Sequence, residues 1–182
     1  MAARDFQMAG EVLKHTDGAQ HVTTQAGTAH IGSVSGHGVT IAVIPVVTAG
    51  AYSAGDAVGT IIPFANAARV SGGGGVLKQV TIIDDAGQDA ELELWLFSES
   101  FTAIADNAAF APAEAELEKL ICIVSTTDGT WRAAGTPSAV VVEVAQRYDL
   151  TGTGMFGQLV TRGTPTYAAV DDVTVKIGLL QD

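Results

Sequence analysis

The sequence predicts an all-β protein: an antiparallel sandwich or barrel of about eight strands, with one short helix and an extended N-terminal arm. Three observations carry that prediction. After residue 38, β-branched and alternating segments recur at short intervals between clusters of Gly, Pro, Asp and Thr. The long helices that a parallel sheet needs for its crossovers have no counterpart in the pattern. The composition, 47% apolar with 21 glycines and 9 Lys and Arg in 182 residues, suits short strands and tight turns around a sizeable core.

Residues 1–38 form the arm. They are polar, dotted with glycine, hold all four histidines and show no sustained period of 2 or 3.6, so they are expected to order only against another surface. Residues 39–182 form the sandwich domain. VTIAVIPVV, from Val39, is the first strand, and Pro45, which has no backbone donor, marks an edge or a bulge. AVGTIIPFANA follows a turn cluster and is again interrupted, at Pro63. VLKQVTIID alternates, which assigns Leu77, Gln79, Thr81 and Ile83 to one face and Val76, Lys78, Val80 and Ile82 to the other.

AELELWLF is the clearest strand, with Leu92, Leu94 and Leu96 inward and Glu91, Glu93 and Trp95 outward. DDAGQD before it reads as a hairpin loop. In FAPAEAELEKLICIV, Pro112 suits a first helical turn and Glu114 to Lys119 favour a helix of about two turns. ICIVS, SAVVVEVAQRYDL, MFGQLVTRG and DVTVKIGLL complete the strands. No internal repeat is visible, which argues against a solenoid or propeller.

The net charge of −11 opposes phosphate backbones and anionic lipid surfaces, so neither nucleic acid nor membrane is an expected partner. Eleven of the 20 acids lie between Asp84 and Asp128 and concentrate the negative field. A single cysteine, Cys122, excludes an intramolecular disulfide and any multi-thiolate zinc site. No window approaches the roughly 20 apolar residues of a membrane span, and the N-terminus lacks a signal-peptide core, so a cytoplasmic site of synthesis is expected.

Several stretches imitate chemical motifs. The glycines at 72–75 are followed by Val76 and Leu77 instead of the GK[ST] tail and helix of a phosphate loop, and read as a turn permitting positive φ. GTGMFG has dinucleotide-fingerprint spacing at Gly152, Gly154 and Gly157 but precedes a β-branched run, so a hairpin loop is expected. AYSAG puts Ser53 in a nucleophile-elbow position, yet no histidine follows His37.

His15, His21, His30 and His37 are spaced by six, nine and seven residues. That spacing gives no chelating pair within one chain, although copies could meet on an oligomer axis. Asp84, Asp85, Asp89 and Glu91 are oxygen ligands without EF-hand spacing, and Glu114, Glu116 and Glu118 read as a wet helix face. Cys122 reads as core filler, and Trp95, Trp131 and Tyr148 as packing or interface aromatics. No residue is assigned a catalytic, cofactor-binding or metal-binding role, and no enzyme activity or cofactor is expected.

The blocks VTAGAYSAGDAVG, PFANAARVSGGGGVLKQVTIIDDAGQDAELELWLF and GQLVTRGTPTYAAVDDVTVKIGLLQD together resemble a group of tailed-bacteriophage virion proteins, the capsid decoration or cement proteins. The likeness spans most of residues 46–182 and leaves out the arm. It implies a jelly-roll-like β-sandwich, a homotrimer, on the outside of the virion head, clamping neighbouring copies of the major capsid protein. A tail, baseplate or head-fibre component is the alternative within the structural class. A carbohydrate-binding module, using Trp131 and Arg132 in DGTWRAAG, is the alternative from another class.

Overall fold

The computed structural model describes residues 36–182, together with the strand pairing of four two-residue segments nearer the N-terminus. The chain divides into two compact units, Met1–Ser35 and Gly36–Asp182. In the first unit, β1 (Gln7–Met8) pairs with β2 (Glu11–Val12), and β3 (His15–Thr16) pairs with β4 (Ala19–Gln20). The two antiparallel pairings repeat at a spacing of eight residues. The extended-arm reading of residues 1–38 otherwise falls outside the described residues over 1–35, while His37 and Gly38 already belong to the first strand of the second unit.

The second unit carries β5 (His37–Val43), β6 (Ala57–Phe64), β7 (Gly74–Asp84), β8 (Leu92–Phe97), β9 (Leu120–Ser125), β10 (Arg132–Ala133), β11 (Ser138–Asp149), β12 (Met155–Thr161) and β13 (Val173–Gln181). One sheet has the order β10-β11-β7-β13-β5 and the other β6-β12-β8-β9, with antiparallel neighbours throughout. With the two-residue β10 set aside, the eight strands run sixth-third-eighth-first and second-seventh-fourth-fifth. That is the order of a jelly roll, an antiparallel β-sandwich whose chain passes from sheet to sheet at nearly every connection. Pro63 is tolerated because β6 is an edge strand and needs no donor on its open side.

Strand alternation explains the core. Leu92, Leu94 and Leu96 are fully buried while Glu93 and Trp95 face outward, as the sequence implies. They meet Val140, Val142, Val175 and Ile177 from the opposite sheet in one cluster. Each fully buried aliphatic side chain contributes about 1.5–3 kcal/mol relative to exposure. The described residues contain no helix long and apolar enough to cross a membrane.

Four expectations need correction. In β7, Lys78 has no partner in either neighbouring strand, and this bulge reverses the alternation: Leu77, Val80 and Ile82 share the buried face and Gln79 the exposed one. DDAGQD joins strands of different sheets and is no hairpin. Its Asp84 carboxylate is buried and accepts the backbone N–H groups of Ala86 (3.0 Å), Gln88 (2.9 Å) and Asp89 (3.2 Å), which folds the turn on itself. The GTGMFG segment likewise crosses between sheets, from β11 to β12. Finally, the helix α1 is the single turn Glu114–Leu117, with Pro112 outside it and no buried residue to hold a second turn.

The β8–β9 connection stays within one sheet and covers its outward face. Phe101 stacks on Phe97 at 4.0 Å and Phe110 lies 5.0 Å from Trp95. The fully buried Gln158 of β12 accepts from Ile104 N (3.0 Å) and donates to Ile104 O (2.5 Å) and Gly59 O (3.2 Å). Asn107–Phe110 then pairs with the open edge of β6 through Asn107 N to Ala57 O, Ala57 N to Ala108 O and Phe110 N to Gly55 O. A polar residue thus sits on an apolar sheet face because a loop needs its backbone satisfied there.

Candidate functional site

The chemical look-alikes separate in space. Gly72 alone of the four glycines has a left-handed φ, 75°, and turns the chain. Gly74 and Gly75 already belong to β7, where a Cβ would run into the carbonyl oxygens of Tyr148 and Leu180, so these two serve close strand packing and not the expected turn. Tyr148, packed there, donates its hydroxyl to Ala67 O at 2.7 Å. Gly157 lies within β12, where an added Cβ would come 3.2 Å from the Leu94 and Leu96 side chains. Ser53 sits in a turn whose backbone N–H is held by the Asp56 carboxylate at 2.8 Å.

His37 opens β5 and is exposed, while the side chain of His15 and all of His21 and His30 fall outside the described residues. Among the described residues no three His, Cys, Asp or Glu side chains gather in a metal-binding group. The carboxylate of Asp84 is turned to its own loop amides, away from Asp85 and Asp89 as joint ligands. Glu116 pairs with Lys119 at 2.8 Å. Cys122 is half-buried in β9, and burial pushes its thiol up to about 11, so thiolate chemistry is suppressed. Trp131 is half-buried against the core, and Arg132 beside it is exposed.

What the fold does bring together is an apolar flank. Among the described residues β5 is an edge strand bonded only to β13, and its inward side chains Val39, Ile41 and Val43 are half-buried. Beyond the strand, Pro45 and Val47 turn inward while Ile44 and Val46 stay 55% and 62% exposed. Val47 N donates to Val170 O at 3.0 Å, which sets Val170, 53% exposed, beside them. The other sheet's edge on the same side, β6, is already paired by Asn107–Phe110, whereas among the described residues no segment pairs with the free edge of β5.

Electrostatics mark the same flank. From Gly18 to Gly55 the chain has no Asp, Glu, Lys or Arg, in a protein with a net charge of −11. The Asp106 carboxylate beside the flank is engaged by Thr48 Oγ1 (2.5 Å), Tyr52 OH (2.7 Å) and Gly59 N (2.6 Å), while the exposed Asp171 follows Val170 at the rim. Burial, and then the Asp106 carboxylate, hold the Tyr52 hydroxyl far above its ordinary range, so it remains a neutral donor. Natural sheets ordinarily protect a bare edge with charge, and here charge is withheld.

Sequence reasoning passed over Ile44, Val46 and Val170 as a group. The charge-free stretch was the available signal for the first two, whereas Val170 joins them only through the fold. Neither a protein-family model, nor a curated protein, nor a solved structure matches the chain.

Proposed function

We propose that this chain is a structural virion protein, a capsid decoration or cement protein that self-associates, as a homotrimer, on the outer surface of a tailed-bacteriophage head and bridges copies of the major capsid protein. The observation that carries the reading is the β5 flank, free of charged residues from His37 to Gly55 and uncapped among the described residues, with Ile44, Val46 and Val170 exposed. Such a strip in a strongly acidic chain is suited to burial between subunits and ill suited to permanent contact with water. The β8–β9 connection lies over the outward face of its own sheet and along the β6 edge, and among the described residues it leaves the β5 edge open for that contact. The acids of residues 84–128 keep the unassembled chain soluble and favour a basic partner surface.

The test mixes the purified chain with undecorated heads and counts bound copies by sedimentation, with light scattering on the free chain. Val46→Lys should lower occupancy by at least about tenfold, the equivalent of about 1.4 kcal/mol per contact. Unchanged occupancy by this variant, or no binding by the unaltered chain, overturns the proposal.

A further inference from the structure

The ladders of the five-stranded sheet fall out of register at one level. Between the pairs Leu179–Leu77 and Gly178–Gln79, β7 carries one residue more than β13, Lys78. Between Gln146–Leu77 and Glu143–Gln79, β11 carries Val144 and Ala145 against that single lysine. The excess therefore grows from none to one to two across three adjacent strands. A bulge shared in this way bends the sheet and re-aims the side chains at the bend.

The bend is held at a conformational cost. Ala145 takes φ 59°, a left-handed value that its Cβ disfavours. Gly178 stands where a Cβ would come 2.9 Å from Gln79 Cγ, so the absence of a side chain there leaves the glutamine stem its place. The result is a depression of about 440 Å³ lined by Lys78, Gln79, Glu143, Val144 and Ala145. Among the described residues, the exposed Lys78, Gln79 and Glu143 side chains make no ion pair or hydrogen bond within the chain. An ammonium donor, a carboxylate acceptor and an amide that does both thus converge, unspent, over an aliphatic floor.

We propose that this depression is a binding site for a neutral saccharide. A sugar hydroxyl both donates and accepts, so it can be shared between Glu143 and Lys78 or Gln79, and the C–H face of a pyranose can rest on Val144 and Ala145. The volume lies within the span of about 300–1,000 Å³ common to small-molecule sites. The lining charges cancel while the whole chain is acidic, which disfavours sialylated and uronic sugars. Building the groups on strands, at a bend fixed by both neighbours, positions them before the ligand arrives. No aromatic ring lines the depression, so affinity is millimolar and gains strength only from repeated copies. The site is independent of the virion reading, since it uses the open face of the sheet and not the β5 flank.

Saturation-transfer NMR on the full chain tests it, with chitotriose, maltotriose and mannotriose as neutral probes and sialyllactose as the acidic comparator. Transfer is expected to at least one neutral trisaccharide, to fall about tenfold or more in Lys78→Ala and in Glu143→Ala, and to weaken in Gly178→Ala, where the new Cβ displaces Gln79. Arg69→Ala, an exposed position outside the lining, should retain it. The Lys78 and Glu143 variants alter exposed side chains, and an unchanged amide spectrum verifies their fold. Absence of transfer to every neutral probe, transfer unaffected by both alanine substitutions, or preference for sialyllactose would each overturn the proposal.

Discussion

Replacing Gln158 with leucine tests whether one buried amide holds the β8–β9 connection over its sheet. The substitution conserves bulk but strands Ile104 N–H, Ile104 C=O and Gly59 C=O, whose bonds to Gln158 are 3.0, 2.5 and 3.2 Å long. A buried group left unpaired costs about 1–3 kcal/mol, and partial rehydration of the half-buried Ile104 holds the sum to roughly 2–4 kcal/mol. For a unit of about 150 residues, where 1 kcal/mol moves the midpoint by about 2–4 °C, the thermal midpoint should fall by roughly 4–16 °C. Urea unfolding gives the free energy, and hydrogen exchange at the Ile104 amide reports the loop itself. A loss below about 1 kcal/mol with Ile104 still protected would refute the idea that Gln158 pins the loop.

Three further outcomes follow from named groups. Arg162, 2.7 Å from Glu93, holds that carboxyl below its ordinary range; the pair's stabilisation is present above the unfolded value of about 4.3 and is lost as pH falls through the folded one. Arg162→Gln should therefore cost up to about 1 kcal/mol at neutral pH, after solvent screening, and progressively less in urea titrations as pH falls through the folded value. Cys122, pushed up to about 11 by burial, should react with a disulfide reagent at pH 8 about a hundredfold more slowly in the folded chain than in urea, and equal rates would contradict its burial. Tyr148→Phe, which strands the buried Ala67 carbonyl now accepting at 2.7 Å, should lower unfolding free energy by about 1–3 kcal/mol.

The parts of the fold that were legible in the sequence obey strict local rules. Leu92, Leu94 and Leu96 alternate without interruption, and β8 keeps register with both neighbours from Glu93 to Leu96, the shift against β9 coming only at Phe97. Pro63 and the bare β5 follow from edges, where a missing donor is tolerated. Illegible were the features decided by partners distant in sequence. DDAGQD has good hairpin residues, but Asp84 spends its carboxylate on the loop so that the chain can leave one sheet for the other. Gly74 and Gly75 resemble a flexible turn, yet what requires glycine there is the approach of Tyr148 and Leu180 from strands far along the chain. The depression combines both difficulties, because its residues are ordinary surface types whose placement depends on three strands at once.

β7 shows why a period can be read correctly on each side of a point and wrongly across it, and deleting Lys78 turns that reasoning into a test. With Lys78 present, Leu77 and Val80 share the inner face although three positions separate them. Without it, Leu77 and Val80 would be two positions apart, β7 would match β13 residue for residue, and the buried set Leu77, Val80 and Ile82 would keep its place. The deletion should then leave a folded chain, destabilised by about 1–3 kcal/mol because β11 would still carry Val144 and Ala145 against nothing. If β7 instead ran without a bulge, the same deletion would carry Val80 and Ile82 from one face to the other. Moving two aliphatic side chains at about 1.5–3 kcal/mol each, together with the polar residues drawn inward, would exceed what a domain of this size can lose. Cooperative unfolding of the deletion variant therefore supports the bulge, and a chain that fails to fold at 25 °C refutes it.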